Sequence, residues 1–251
     1  MPRTGSSHLN KLFRSCPEFD AKSELFHRHA VGRFTDRELV SIRAKAPGLS
    51  DENFTTWRRE HPIELLEALL QAHARQITTF KVFPGHLPKQ KLKSKFFTLD
   101  DIGFAILKRR PIECYISGVK AKLMEKFGAL DTTALKPAIS VAEFVPWATR
   151  TRFWYKWTRR ELDARKIPYA AITFEEHLDG LSGAESLAKI LPLLKPLGFP
   201  DIPVPPDIIE GKRQDKERDY QARVANWDEF VKAAQAEPQS KQLLKWALAV
   251  S

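Results

Sequence analysis

The sequence predicts an α/β chain built on a parallel sheet with helices on both faces, and three observations predict it. Short apolar runs rich in branched and aromatic residues, TTFKVF (78–83), IGFAILKR (102–109) and YAAITF (169–174), read as strands. Segments of helical periodicity separate them, and strands joined through helices pair in parallel. The 251 residues are 43% hydrophobic, with 16 Phe and 6 Trp. That is enough apolar surface for one domain spanning 1–251, and it excludes a disordered chain.

Taken in order, the chain opens on MPRTGSSHLNKLF. GSSHLNKLFRS reads as a first helix with Leu9, Leu12 and Phe13 on one face. A polar stretch of mixed charge runs from Cys16 to about Thr56. HPIELLEALLQAHARQ is a helix with Pro62 in its first turn, where a missing N–H costs nothing. The strand 78–83 stops at Pro84-Gly85, and the strand 102–109 is followed by a helix over 111–127 launched by Pro111. The segment 141–166 is a long helix with Pro146 as the place for a kink. After the strand 169–174 come the helix SLAKILPLLKPLG, a proline-rich connection IPVPPDI (202–208), and a closing helical pattern, KERDYQARVANWDEFVKAAQ. No internal repeat and no linker interrupt the series.

Composition narrows the function. No apolar run approaches a membrane span and the N-terminus lacks a signal h-region, so a cytoplasmic protein is expected. Two cysteines, Cys16 and Cys114, argue against a disulfide framework or a zinc site. The net charge of +10 favours anionic partners without choosing among nucleotides, nucleic acid, acidic sugars and a membrane surface.

Two turns carry the chemistry. In parallel sheets ligands sit at the carboxyl ends of strands, beside the turns into helices. The opening Arg3-Thr4-Gly5-Ser6-Ser7 is rich in Gly and hydroxyls and enters a helix, so it offers backbone N–H groups at the positive end of the dipole. Arg3 adds a fixed charge. A loop of this kind normally follows a central strand, yet only Met1 and Pro2 precede it, and a first strand missing or truncated by a late start is expected. In LKRRPIECYIS, Arg109 or Arg110 stands at a strand end and Ser117 lies two turns into the next helix. A guanidinium and a hydroxyl there can grip a second phosphate. A capped surface helix and a solvated basic turn are the plainer accounts.

Pro2-Arg3-Thr4-Gly5-Ser6-Ser7 resembles the 5′-phosphosulfate loop of the sulfotransferases that use 3′-phosphoadenosine 5′-phosphosulfate (PAPS). Arg109-Arg110-Pro111 through Ser117 resembles their 3′-phosphate motif, with Arg109 at the matching spacing. ITFEEHL (172–178) is similar to the later strand ending in an aromatic-Glu pair, and LLKPLGF (193–199) to the short helix and Leu-Gly segment after it. The four matches fall in family order. The resemblance implies a three-layer α/β/α, P-loop-like fold around a central parallel sheet, and transfer of SO₃ from PAPS to a hydroxyl or amine, with no metal. Arg3 would stabilise charge on the bridging oxygen, and Thr4, Gly5, Ser6 and Ser7 would hold the 5′-phosphate. Arg109 and Ser117 would hold the 3′-phosphate, with Lys212 and Arg213 from a later basic loop.

Two residues compete as general base. Glu24, in AKSELFHRH, resembles a Glu-Leu-Phe segment of bacterial members; His86, in FKVFPGHLP, resembles the His-Leu-Pro of cytosolic members, although Pro84-Gly85 intrudes after Lys81. A histidine suits neutral pH, whereas Glu24 needs burial or a neighbour to raise its pKa. His27, Arg28, His29 and Arg33 form either an anionic-acceptor site or a solvated loop. RTRFWYKWTRR (150–160) interleaves bases and aromatics as a nucleic-acid platform does. At helical spacing, Phe153, Trp154 and Trp157 are expected on the sheet with the bases toward solvent. The acceptor implied by bacterial members is a saccharide or glycolipid, and no nucleic-acid partner is expected. The alternatives are a non-catalytic basic nucleotide- or nucleic-acid-binding protein, a fold that has lost activity, and an ATP-dependent P-loop kinase, which would want GxxxxGK[ST] and an acidic metal ligand.

Overall fold

Helix α1 (Ser6–Ser15) buries Leu9, Leu12 and Phe13 on one face, as their spacing predicts, and starts at Gly5, whose φ of 88° is left-handed. The computed structural model describes residues 3–27, 34–73, 76–125, 131–210, 215 and 217–249. It is mixed α/β, with two small parallel sheets.

Strand β1 (Phe19–Ala21) leads to α2 (Asp36–Lys45), α3 (Asp51–Glu60) and α4 (Pro62–Ala72), and β2 (Ile77–Thr79) then pairs parallel to β1. A short helix α5 (Lys89–Lys91) runs into a π-helical turn over Leu92–Phe96. Next come β3 (Phe104–Lys108), α6 (Pro111–Leu123), α7 (Val141–Ala164) and β4 (Tyr169–Thr173), with β4 parallel to β3 over five residue pairs. The chain closes with α8 (Phe174–His177), α9 (Gly183–Leu194), α10 (Tyr220–Arg223), α11 (Trp227–Ala236) and α12 (Pro238–Leu248).

Two expectations are corrected here, and the polar stretch 16–56, to which the sequence assigned no element, holds one strand and two helices. Each helix is capped by a hydroxyl residue: Thr35 and Glu38 form a capping box on α2, and Ser50 accepts the Asn53 N–H on α3. The apolar run 78–83 pairs only through its first residues, because Val82 and Phe83 leave the ladder toward the Pro84-Gly85 turn. The closing pattern is broken at Val224 and Asn226 into two helices, and α12 follows them. Helix α7 passes through Pro146 without ending.

Side-chain alternation gives the β3–β4 pair two apolar faces. Ile106 joins a core with Leu65, Leu69, Phe96, Trp157 and Leu162 from α4, the π-turn and α7. Ala170 and Ile172 join a second core with Leu12 and Phe13 of α1 and Leu187 and Ile190 of α9. A third core ties α6 and α7 to α11 and α12 through Ile112, Ile116, Phe144, Phe230 and Leu244. A buried ion chain pins the same region. Arg223, 1% exposed, donates to Glu113 at 2.7 and 2.8 Å and to Asp215 at 3.0 Å, and Lys120 reaches Asp215 at 2.8 Å. Among the described residues no helix is long and apolar enough to cross a membrane.

Candidate functional site

Several of the residues singled out by sequence, with Lys81 among them in space, meet at the carboxyl ends of the four strands. Glu24 follows β1, Lys81 follows β2, Arg109 follows β3 and Phe174-Glu175 follow β4, while the turn Arg3–Ser7 lies among them. Parallel strands carry their connections to helices at this end, so residues far apart in sequence converge there.

One side of the opening turn is gripped by β3 and α6. The Arg109 guanidinium donates to the Arg3 carbonyl at 3.1 Å, and the Cys114 thiol points at the same oxygen at 3.5 Å. The Arg3 side chain donates from Nε to Ser117 Oγ at 2.9 Å. Arg3, Arg109 and Ser117 are thus one cluster, joining the two turns that the sequence singles out. Burial lowers the Arg3 pKa and the neighbouring charge of Arg109 lowers it further. Two guanidiniums held together in this way attract an anion. Glu113 tempers Arg109 at 3.3 Å and connects it to the buried ion chain. Burial pushes the Cys114 thiol up to about 11, so it stays protonated.

Phe174 fixes the turn from below. Its ring lies under the Arg109 guanidinium at 4.5 Å, and a Cβ on Gly5 would come within 2.3 Å of it. Gly5 is therefore required twice, for its left-handed φ and for the approach of this ring. Glu175 accepts the Arg110 backbone N–H at 2.8 Å, so the Phe-Glu pair orders both turns. Arg110 itself turns toward Tyr220, which raises its pKa against the effect of burial. Thr4 is buried, whereas Ser6 and Ser7 reach the surface.

The other side of the turn meets β1 and β2. Lys81 Nζ lies 3.5 Å from Ser7 Oγ and 3.9 Å from Glu24. Glu24 lies 3.5 Å from His86 Nε2, so the two rival bases stand side by side. They differ in role. His86 is buried, and its Nδ1 accepts the Phe83 backbone N–H at 3.3 Å. Nε2 is then the ring atom that faces Glu24. Glu24 remains part-exposed. Its pKa is lowered, first by the His86 hydrogen bond and then by the Lys81 charge, against the effect of burial. The raised pKa expected of a carboxylate base is therefore not what this environment produces.

Lys81 is the residue that sequence reading passed over. Its strand-end position was visible, but only the parallel pairing of β1 with β2 sets it between Ser7 and Glu24. Arginines of α3 fix the two histidines by their backbones: fully buried Arg58 donates to the His27 carbonyl, and Arg59 to that of His86 at 3.2 Å. Arg28, His29 and Arg33 of the basic cluster, and Lys212 and Arg213, lie outside the described residues.

Two groups bring metal-ligand atoms within 4.8 Å among the described residues: Glu24 with His27 and His86, and Asp20 with Glu38 and His73. In the second, the Lys22 ammonium pairs with both carboxylates and fills the place a cation would take. In the first, the Lys81 ammonium lies 3.9 Å from Glu24 and competes with a cation for it. The α7 aromatics also divide. Trp157 is buried and Trp154 packs against the first core, but Phe153 is 57% exposed under Lys89, correcting its expected place on the sheet. Comparison with family models, curated proteins and solved structures returned no match.

Proposed function

We propose that this chain is a PAPS-dependent sulfotransferase, with the two parallel pairs belonging to one three-layer, P-loop-like fold. The observation that carries the reading is the opening turn bridged at one end to Arg109 and Ser117 and at the other to Lys81, Glu24 and His86. A ligand with a phosphate at each end of a nucleoside matches a cradle with two guanidiniums at one end and the Lys81 ammonium beside the start of α1 at the other. The N–H groups of Gly5, Ser6 and Ser7 at the start of α1 hold the 5′-phosphate. Arg109 and Ser117 take the 3′-phosphate, with Arg3 beside them.

The Arg3 side chain, expected at the bridging oxygen, is instead held at Ser117, so at the Ser7 end it is Lys81 that neutralises the charge building on that oxygen as the S–O bond breaks. Glu24 receives the proton of the acceptor hydroxyl or amine, and His86 orients it. A carboxylate of lowered pKa is a weak base. The reading therefore needs proton transfer to come late, as in the loose transition states of phosphoryl transfer. A saccharide or glycolipid is the proposed acceptor.

Calorimetric titration with 3′-phosphoadenosine 5′-phosphate, 5′-AMP and ATP tests the reading. The bisphosphate is expected to bind at micromolar Kd and clearly tighter than the other two. Equal affinities, or a preference for ATP, would contradict it in favour of a general nucleotide site or a kinase.

A further inference from the structure

A second feature lies outside the donor cradle, between α7, the end of β3 and α12. A groove of about 750 Å³ is bordered by Lys108, Arg152, Lys156, Arg159 and Arg160, with Asp163 as its one acid. On α7 the cations recur at i, i+4, i+7 and i+8, which places them on one face about one helical turn, ~5.4 Å, apart. Among the described residues Lys108, Arg152, Lys156 and Arg159 form no ion pair, and Arg160 reaches only Glu161, at 3.5 Å. The charges feel one another: burial and Arg159 lower the Lys108 pKa, and burial and Arg160 lower that of Lys89 nearby. Like charges collected without acids destabilise the free chain, and a bound polyanion relieves that repulsion.

We infer that this groove binds an acidic oligosaccharide, one carrying carboxylate or sulfate groups along its length. One observation favours a saccharide over a nucleic acid. Single strands are held by successive aromatic faces, but the α7 aromatics along this stretch are engaged elsewhere. Trp157 is buried, Trp154 packs in the core, Tyr155 spends its hydroxyl on the Leu107 carbonyl at 3.0 Å, and the exposed Phe153 ring is covered by the Lys89 ammonium at 3.7 Å. Trp246 of α12 is left as the flat ring beside the groove, enough for one sugar face. Three arginines supply planar forks for oxyanions in general, carboxylate and sulfate among them, and so add affinity rather than selectivity. This inference needs neither PAPS nor a catalytic base, so it stands or falls apart from the donor-site reading.

The test is direct binding, without nucleotide, of a sulfated hexasaccharide of alternating uronic acid and glucosamine. Lys156→Ala/Arg159→Ala removes two exposed cations with no described partner; Lys122→Ala/Lys232→Ala removes the same charge elsewhere. The groove variant is expected to melt no lower than wild type and bind about tenfold more weakly, and the control variant to bind within about twofold of wild type. Arg159→Gln alone should shift affinity in the same direction. Absence of saturable binding, or equal loss in the control variant, would overturn the inference. So would tighter binding of a single-stranded hexanucleotide or of anionic phospholipid vesicles.

Discussion

Replacing Gly5 by Ala perturbs the cradle at its tightest point. The backbone there has φ 88°, and a side chain in this region costs about 1–2 kcal/mol. The new Cβ would also stand 2.3 and 2.6 Å from two carbons of Phe174, so the ring must move. Moving it forces an off-rotamer χ angle, about 1 kcal/mol, and weakens its stacking under Arg109, about 0.5–2 kcal/mol. The sum is about 2.5–5 kcal/mol, or roughly 5–20 °C in melting temperature for a chain of this size. Thermal unfolding of Gly5→Ala, Phe174→Ala and the double variant reads it. With the ring removed, only the dihedral cost of about 1–2 kcal/mol should remain, a coupling of about 1 kcal/mol or more. A Gly5→Ala protein melting within about 2 °C of wild type would refute the reasoning. Equal costs in both backgrounds would remove the contact between Gly5 and Phe174 from it.

Other consequences are open to measurement. Glu113→Ala leaves Arg223 buried with Asp215 alone and should cost about 3–5 kcal/mol by denaturant unfolding, whereas an exposed pair would cost under about 1. Asn226 exchanges two hydrogen bonds with the Ile139 backbone, at 2.9 and 3.0 Å, so Asn226→Ala should lose about 1–3 kcal/mol. Glu24 has a lowered pKa in the folded state, so its contribution to stability is full above the ordinary carboxylate range and is lost as the pH falls through the folded pKa. Glu24→Gln should flatten the acid limb of the stability profile; an unchanged limb would contradict the His86–Glu24 pairing.

Much of the architecture was legible because local signals carried it. Leu9, Leu12 and Phe13 share a helical face in sequence and in space, and Pro62 and Pro111 each open a helix. Helix α2 was legible too, in Thr35-x-x-Glu38, but the charges around that capping box masked it. β1 was not, since three residues are too few to show alternation. In the site, each residue could be named singly while its neighbours could not. Glu24 and His86 looked like rivals because nothing local says that β1 and β2 run side by side. Once paired, they bring both residues, and Lys81, to one end. Phe153 misled for the same reason: helical spacing marks a face, and the partner on that face is a tertiary fact.

The most direct measurement is the ratio of affinities for 3′-phosphoadenosine 5′-phosphate and 5′-AMP in wild type and Arg109→Ala. Those ligands differ by the 3′-phosphate alone, and a charged hydrogen bond to it contributes about 1.5–3 kcal/mol, a factor of roughly 10–150. The proposed site predicts a large ratio in wild type that collapses toward one in Arg109→Ala, with 5′-AMP binding unchanged. A ratio that survives the substitution would contradict the placement of the 3′-phosphate at Arg109, and a wild-type ratio near one would contradict the donor itself.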